Sequence, residues 1–338
     1  MTISFQHRQS AHCESGVTAN LLNHHGLPLS EAMVFGIGSG LLFGYFPFIQ
    51  VNKLPLVTFR AAPGSIFKRA TERLGIRIAR LSFRNPQKAM AALDRNLEAG
   101  IPTGLQTGVY WLPYFPPALR FHFNAHNLVV FGAEGDNYHI SDPVFSDPVV
   151  CSRNDLARAR FAQGVLAPKG KMYSIAAVPK NLDLAPAIRQ GIRQVCGVMV
   201  KAPFPLIGTR GIRTLARTVE KWPAKLDARH AIYHLGHVIR MQEEIGTGGG
   251  GFRFIYAAFL QEAADALADP RYLDLSRRMT AVGDQWREFA TAGARHCKGR
   301  AGGHDSFSDL AAILRSCADL ETALFNDLFD LVNSRHHG

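Results

Sequence analysis

Cysteine is scarce and unpaired in this sequence. Five thiols, Cys13, Cys151, Cys196, Cys297 and Cys317, are spread over 338 residues, an odd number with no CxxC spacing. That spacing supports neither a disulfide framework nor a zinc knuckle, and it fits a reducing compartment. A secretory leader is also missing: "MTISFQHRQSAH" has no basic-then-apolar pattern, so the cytoplasm is the expected location. Long uncharged runs are few. One, "MVFGIGSGLLFGYFPFIQV" (33–51), has the length of a membrane span, but four glycines and Pro47 break it, and it reads as buried strand and loop. No membrane partner is expected. Acidic residues are the other deficit, 27 against 38 Lys and Arg, for a net charge of +11.

A basic excess calls for an acidic partner or a solvated basic surface. Nucleic acid is not the expected partner. The cations are scattered through "RAAPGSIFKRATERLGIRIARLSFR", "APAIRQGIRQVCGVMVKAPF" and "GTRGIRTLARTVEKWPAK", with no recognition helix, zinc-finger spacing or aromatic RNP pattern. "GIGSG" (36–40) lacks the third glycine and the acidic residue of a dinucleotide fingerprint. "GTGGGGF" (246–252) has no GKS/T ending and reads as a flexible hinge between helices, with Arg253 beside it. "NHHG" (23–26) and the terminal "SRHHG" have no Cys or acidic partner at ligand spacing, so no metal is expected.

What is present divides in two. Residues 14–25 follow helical spacing and stop at Gly26-Leu27-Pro28, a short amphipathic helix. "LLFGYFPF" and "LPLVTFRA" read as buried strands, "SIFKRATERLGI" as helix and "RIARLSF" as strand. "NPQKAMAALDRNLEAG" reads as a helix capped by Asn85, with Pro86 at its first position and Gly100 as its stop. "HNLVVFGAE" and "NYHISDPVF" flank a Gly135-Asp136 turn, a β-hairpin pattern. Residues 152–175 read as a short helix, a turn and a closing strand. Beyond about residue 184 apolar residues recur at i, i+3, i+4 and i+7 through six segments, without a fixed repeat length. The expected fold class is α+β followed by an all-helical domain, with the boundary near 178/179.

Three residues of the first half form a chain-order pattern. Cys13 begins a helix, His126 begins a strand, and Asp142 ends the next strand in "ISDP". A hairpin turning at 135–136 returns Asp142 to the end of the sheet where His126 starts. A thiol at a helix N-terminus beside an imidazolium gains thiolate character, and a carboxylate fixes that imidazole's tautomer. This is the logic of nucleophilic acyl chemistry. Each residue also has a plainer reading: a core thiol, a core histidine, a turn-starting Asp before Pro143.

The stretch "AHCESGVTANLLNHHGLPLSEAMVFGIGSGLLFGYF", followed by "AHNLVVFGAEGDNYHISDP" and by "GTGGGGFRFIYAAFLQEAA", resembles the butirosin-biosynthesis acyltransferase family, the BtrH-type N-terminal domain joined to its usual helical domain. The resemblance covers nearly the whole chain. It implies a papain-like (C39-peptidase-like) domain over 1–178 and a helical domain over 179–338. It further implies transfer of an acyl or aminoacyl group from an acyl-carrier-protein thioester to a small amine. Carried over, Cys13 accepts the acyl group, His126 is base and then acid, and Asp142 orients His126. Papain-like enzymes place a glutamine before the cysteine as oxyanion donor. Gln6 and Gln9 are the candidates, although neither has the usual six-residue spacing, and the Cys13 backbone N–H is a further donor.

Such chemistry needs no metal or redox cofactor, only a nucleophile and the exclusion of water, the donor being a phosphopantetheine thioester. The aromatic "VYWLPYFPP" (109–117) offers Tyr110 and Trp111 as substrate contacts, and the glycine-rich segment offers Arg253 and Tyr256. The net positive charge suits an acidic carrier. Two other readings remain open at this stage: a cysteine hydrolase using the same three residues, and a non-catalytic binder of an acidic partner. The apolar faces of the later helices allow a homodimer.

Overall fold

The computed structural model describes residues 2–51, 53–303 and 305–334. The helices are α1 (Cys13–His24), α2 (Glu31–Ile37), α3 (Ser65–Arg73), α4 (Pro86–Glu98), α5 (Arg153–Arg160), α6 (Leu184–Cys196), α7 (Gly208–Lys225), α8 (Ala228–Glu243), α9 (Arg253–Leu267), α10 (Arg271–Cys297) and α11 (Phe307–Asn333). The strands are β1 (Leu41–Val51), β2 (Leu54–Arg60), β3 (Arg77–Leu81), β4 (Thr103–Thr107), β5 (His126–Glu134), β6 (Asn137–Ser141), β7 (Val149–Ser152) and β8 (Met172–Ala177). The fold is α+β, and the C-terminal region is helical.

Two compact units divide the chain, one of Met1–Val34 with Ile66–Leu182, the other of Phe35–Ser65 with Asp183–Gly338. The expected boundary at 178/179 therefore stands close to the last crossing. The expectation that 1–178 is continuous is corrected, because residues 35–65 belong to the second unit. Strands β1 and β2 form a two-stranded antiparallel sheet of their own. They bury Phe43 and Phe59 against Trp286 of α10, at ring separations of 5.7 and 5.3 Å. Tyr45 N–H adds a 2.9 Å bond to the Leu206 carbonyl. The 33–51 segment, expected as strand and loop, also supplies the last turns of α2 before β1 begins.

The first unit is built on a six-stranded antiparallel sheet in the order β3-β8-β4-β5-β6-β7. Alternation along the strands sends Leu105, Leu128, Val130 and Ile140 to one face, where they form a core with Leu93 and Leu97 of α4 and Leu156 of α5. Helix α1 packs on β5 and β8. Its residues from Cys13 to Leu22 are all buried. It is thus an interior helix rather than the amphipathic helix expected, which is why its sequence mixes polar and apolar positions without a clear stripe. Helix α4 has the expected cap: the Asn85 side chain accepts Lys88 N–H at 2.9 Å, and Gly100 takes φ +72° past its end. The β5–β6 hairpin forms as read, with Glu134 opposite Asn137. Strand β7 was not expected, since its four residues are too few to show a period.

In the second unit the glycine-rich stretch is packed, correcting the expectation of a flexible hinge. Gly248, Gly249, Gly250, Gly251 and Phe252 all take positive φ, and Gly250, Gly251 and Phe252 are buried. A Cβ on Gly251 would lie 2.3 Å from the Phe59 ring. Among the described residues no helix is long and apolar enough to cross a membrane.

Candidate active site

Cys13 is the first residue of α1, and the chain before it is held by a half-buried carboxylate. Glu31 accepts Ala11 N–H at 3.0 Å and His12 N–H at 2.6 Å, with the Ser15 hydroxyl at 3.3 Å. Burial pushes the Glu31 carboxyl up, and these three donors pull against it. The His12 ring caps the helix, its Nδ1 accepting from Ser15. Gly16, one turn in, lets α1 close on the segment that follows β6, because a Cβ there would stand 2.5 Å from Ser10 Cβ and 3.0 Å from Pro143 Cβ. A 2.8 Å bond from Ser10 N–H to the Pro143 carbonyl ties the same two segments.

That closeness matters because Asp142 precedes Pro143. The buried His126 ring donates from Nε2 to Asp142 Oδ2 at 2.7 Å. The Cys13 side chain is a second partner of this imidazole. Burial alone would lower the imidazolium pKa. The Asp142 carboxylate, through its charge and its hydrogen bond, and Cys13 outweigh burial and push it up to about 10. The expected trio is therefore assembled around one imidazole, with the Asp142 carboxylate on Nε2 and Cys13 as its other partner.

Three further side chains complete the cluster, and the sequence reading missed them. Tyr114 donates to Asp142 Oδ2 at 2.9 Å, while Val144 N–H donates to Oδ1 at 3.2 Å. Burial and then Asp142 push the Tyr114 phenol well above its usual range, so it stays a donor. Asn127 Nδ2 lies 4.0 Å from Cys13 Sγ and donates to the Ala125 carbonyl at 3.1 Å, while Asn127 Oδ1 accepts the Tyr173 hydroxyl at 2.8 Å. The carbonyl of Ala125 and the hydroxyl of Tyr173 together fix which way the amide points. Burial, Glu14 and Cys13 keep the Tyr173 phenol protonated by pushing its pKa well up. Tyr114 sits in the quoted aromatic stretch and Asn127 beside His126, so adjacency was the only signal.

The other sequence candidates lie elsewhere. Gln6 is exposed and accepts from Arg8 at 3.3 Å; Gln9 is exposed and donates to the Val144 carbonyl at 3.4 Å. The side-chain amide recorded on the cysteine sulfur is that of Asn127, so the glutamine expectation is corrected. Tyr110 and Trp111 line an open cavity of about 430 Å³ with Pro113, Arg120 and Arg158. Arg158 sits 3.8 Å over the Trp111 ring and Tyr110 stacks on His122 at 4.2 Å. The residues of that stretch that do meet the trio are Tyr114 and Phe115, whose ring packs edge-on to His126 at 5.4 Å.

Arg253 is fully buried and forks onto Glu321 at 2.9 and 3.1 Å, which also accepts Trp286 Nε1 at 2.7 Å. Tyr256 is fully buried between Phe259 and Phe325. Both are interior residues of the second unit, a correction to their reading as substrate contacts, since solvent reaches neither side chain. Arg335 to Gly338 of "SRHHG" lie outside the described residues.

Two family models match the chain. One, described as the N-terminal domain of butirosin biosynthesis protein H, matches residues 12–143, and one described as a domain of unknown function, DUF4872, matches residues 154–328, just over half of the chain. The chain belongs to the family defined by this DUF4872 domain, and its first part resembles the N-terminal domain of butirosin biosynthesis protein H. The N-terminal match begins one residue before Cys13 and ends one residue after Asp142. No curated protein matches the chain. A solved structure described as a C39-like peptidase from Bacillus anthracis is 15% identical, covering 53% of this chain and 98% of its own, with a TM-score of 0.37. The Cys13–His126–Asp142 geometry sets a thiol, an imidazole and a carboxylate in the order that nucleophilic acyl chemistry uses.

Proposed function

We propose that this protein is an acyltransferase of specialised-metabolite biosynthesis, which takes an acyl or aminoacyl group from a carrier-protein thioester and passes it to a small amine through a Cys13 thioester. The observation that carries the proposal is the convergence on Cys13 of His126, held by Asp142 at 2.7 Å, and the amide of Asn127. In the first half-reaction the Cys13 sulfur, its proton held on His126, attacks the thioester carbonyl. The C–S bond to the carrier breaks, and His126 gives its proton to the departing carrier thiol. In the second the amine attacks the Cys13 thioester, His126 takes the amine proton, and the Cys13 thiol is restored as the amide forms.

Negative charge develops on the carbonyl oxygen in both steps. A donor 4.0 Å from the sulfur can stand within ordinary hydrogen-bond reach of an oxygen one atom removed from that sulfur, and Asn127 Nδ2 has that placement. Tyr114 and Val144 N–H hold Asp142 so that it keeps the His126 ring in one orientation. No metal or redox group is required by this sequence of bonds.

Intact-mass measurement tests the proposal. The wild type mixed with a panel of acyl thioesters gains the acyl mass, Cys13→Ala gains none, and His126→Ala gains it far more slowly. Adding amines discharges the adduct into amide. Discharge to free acid at the same rate with and without amine makes the protein a hydrolase. Absence of any adduct, with Cys13 alkylating no faster than the other four cysteines, overturns the covalent mechanism and leaves a binding role for the basic surface.

A further inference from the structure

The sheet carries a second functional row beside the catalytic trio. Strands β5 and β8 begin, and β3 and β4 end, at one end of the sheet, the end at which His126 stands. The register there places Asn127 opposite Gln106 and Tyr173 opposite Arg80. Cross-strand partners share a face, and so do residues two apart on one strand. Lys171, two residues before Tyr173, confirms the shared face by donating from Nζ to Gln106 Oε1 at 3.2 Å. Arg80 lies over the Phe67 ring at 5.7 Å, and Phe67 packs on Tyr173 at 4.4 Å. Moving outward from Cys13, the face therefore presents Asn127, Gln106, Lys171 and then Arg80, with Lys169 close enough to repel Lys171.

These three cations have no carboxylate partner among the described residues. Lys171 is partly buried, its recorded bond goes to a neutral amide, and its neighbours Arg80 and Lys169 carry the same sign. The carboxylate of this neighbourhood, Glu14, is turned onto Ile66 and Phe67 N–H at 2.9 and 3.1 Å. Like charges gathered without a counter-ion cost free energy in the empty protein, and a bound anion relieves that cost. Strand spacing puts Lys171 about 10 Å and Arg80 about 14 Å across the sheet from Asn127. A simple acyl group on Cys13 does not reach so far, whereas the arm of an extended thioester donor does.

We propose that Lys171, Arg80 and Lys169 form an anion-binding station that holds a phosphate ester on the arm of the acyl donor while its thioester lies at Cys13. The station rests on the acyltransferase reading for its role, and its existence is measured without catalysis. The probes are 4′-phosphopantetheine and pantetheine, which differ by the phosphate alone, titrated calorimetrically into the wild type. The phosphorylated arm binds at least about tenfold tighter at low salt. In the Lys171→Gln, Arg80→Gln double variant that ratio collapses toward one, and Lys169→Gln, an exposed substitution with little bearing on folding, reduces it in part.

Equal affinity of the two probes for the wild type overturns the proposal, as does a ratio that survives in the double variant. Inorganic phosphate that binds at these residues while the two arms bind equally also overturns it, by assigning the station to another anion. If the station binds as stated and no thioester ever acylates Cys13, the acyltransferase reading falls and the anion site stands. If acylation proceeds and the ratio is one, the reverse holds.

Discussion

A proton on His126 ties the proposed chemistry to stability. Its folded pKa of about 10 lies above the ordinary 6.5, the carboxylate of Asp142 and the Cys13 side chain having overcome the opposing effect of burial. A group raised in the folded state stabilises fully below its unfolded pKa, and that contribution is lost as pH climbs through the folded value. The urea midpoint of the wild type is therefore expected to fall between about pH 6.5 and 10, and Asp142→Asn is expected to flatten that part of the profile; an unchanged slope in the variant contradicts the linkage.

Asn127→Ala, which removes an amide but no charge, is expected to slow acylation by about 10²–10³. Stopped-flow or quenched-flow mass measurement reads that loss, and Tyr173→Phe, which frees the amide to turn, falls between the two. Cys13, His126 and Asp142 were legible because a helix start and a hairpin are local patterns that set chain ends side by side. Asn127, Tyr114 and Tyr173 were not, since their contacts join residues 28 to 114 positions apart and depend on register, which no local pattern records. Arg253 misled for the same reason: a buried fork onto Glu321 looks, in sequence, like an exposed cation beside glycines.

Buried connections between elements replace conformational freedom in several places. Glu14 caps the first turn of α3 from α1, so the helix that carries Cys13 also positions the helix that supplies Phe67. The glycine run before α9 makes a sharper test. Gly251→Ala brings a Cβ into the left-handed region at φ +58° and onto Phe59, whereas Gly135→Ala, at φ +56°, meets nothing within 4 Å. The second substitution is expected to cost about 1–2 kcal/mol, the backbone penalty alone. The first costs clearly more, read as the difference between their denaturant midpoints.

Arg253→Met leaves the buried Glu321 carboxylate without its counter-ion and is expected to cost about 3–5 kcal/mol. Helix limits of this kind were mostly legible, as at Asn85 and Gly100, because caps are local chemistry. The packing of the glycine run was not, because composition alone does not distinguish a loop that glycine frees from one that glycine lets close.

At the scale of the whole molecule the chain passes between its two units three times, after Val34, Ser65 and Leu182. The pattern of elements disclosed an α+β half and a helical half. It did not disclose that the first hairpin belongs with the helices, since a two-stranded ribbon carries no mark of what will cover it. A fragment ending at Leu182 is expected to bind a hydrophobic dye and aggregate, with Phe43 and Phe59 deprived of Trp286. The same fragment with residues 35–65 replaced by a short glycine-serine linker is expected to do so far less, and gel filtration with dye fluorescence compares them.

The ribosome meets the same topology as a matter of timing. Residues 41–60 emerge well over a hundred residues before α7 and more than two hundred before Trp286. At about 5–20 residues per second the young ribbon waits on the order of ten seconds or longer for its cover. Throughout that interval its aromatic face is a client for whatever holds nascent chains apart, so translation speed downstream of residue 65 becomes a determinant of yield.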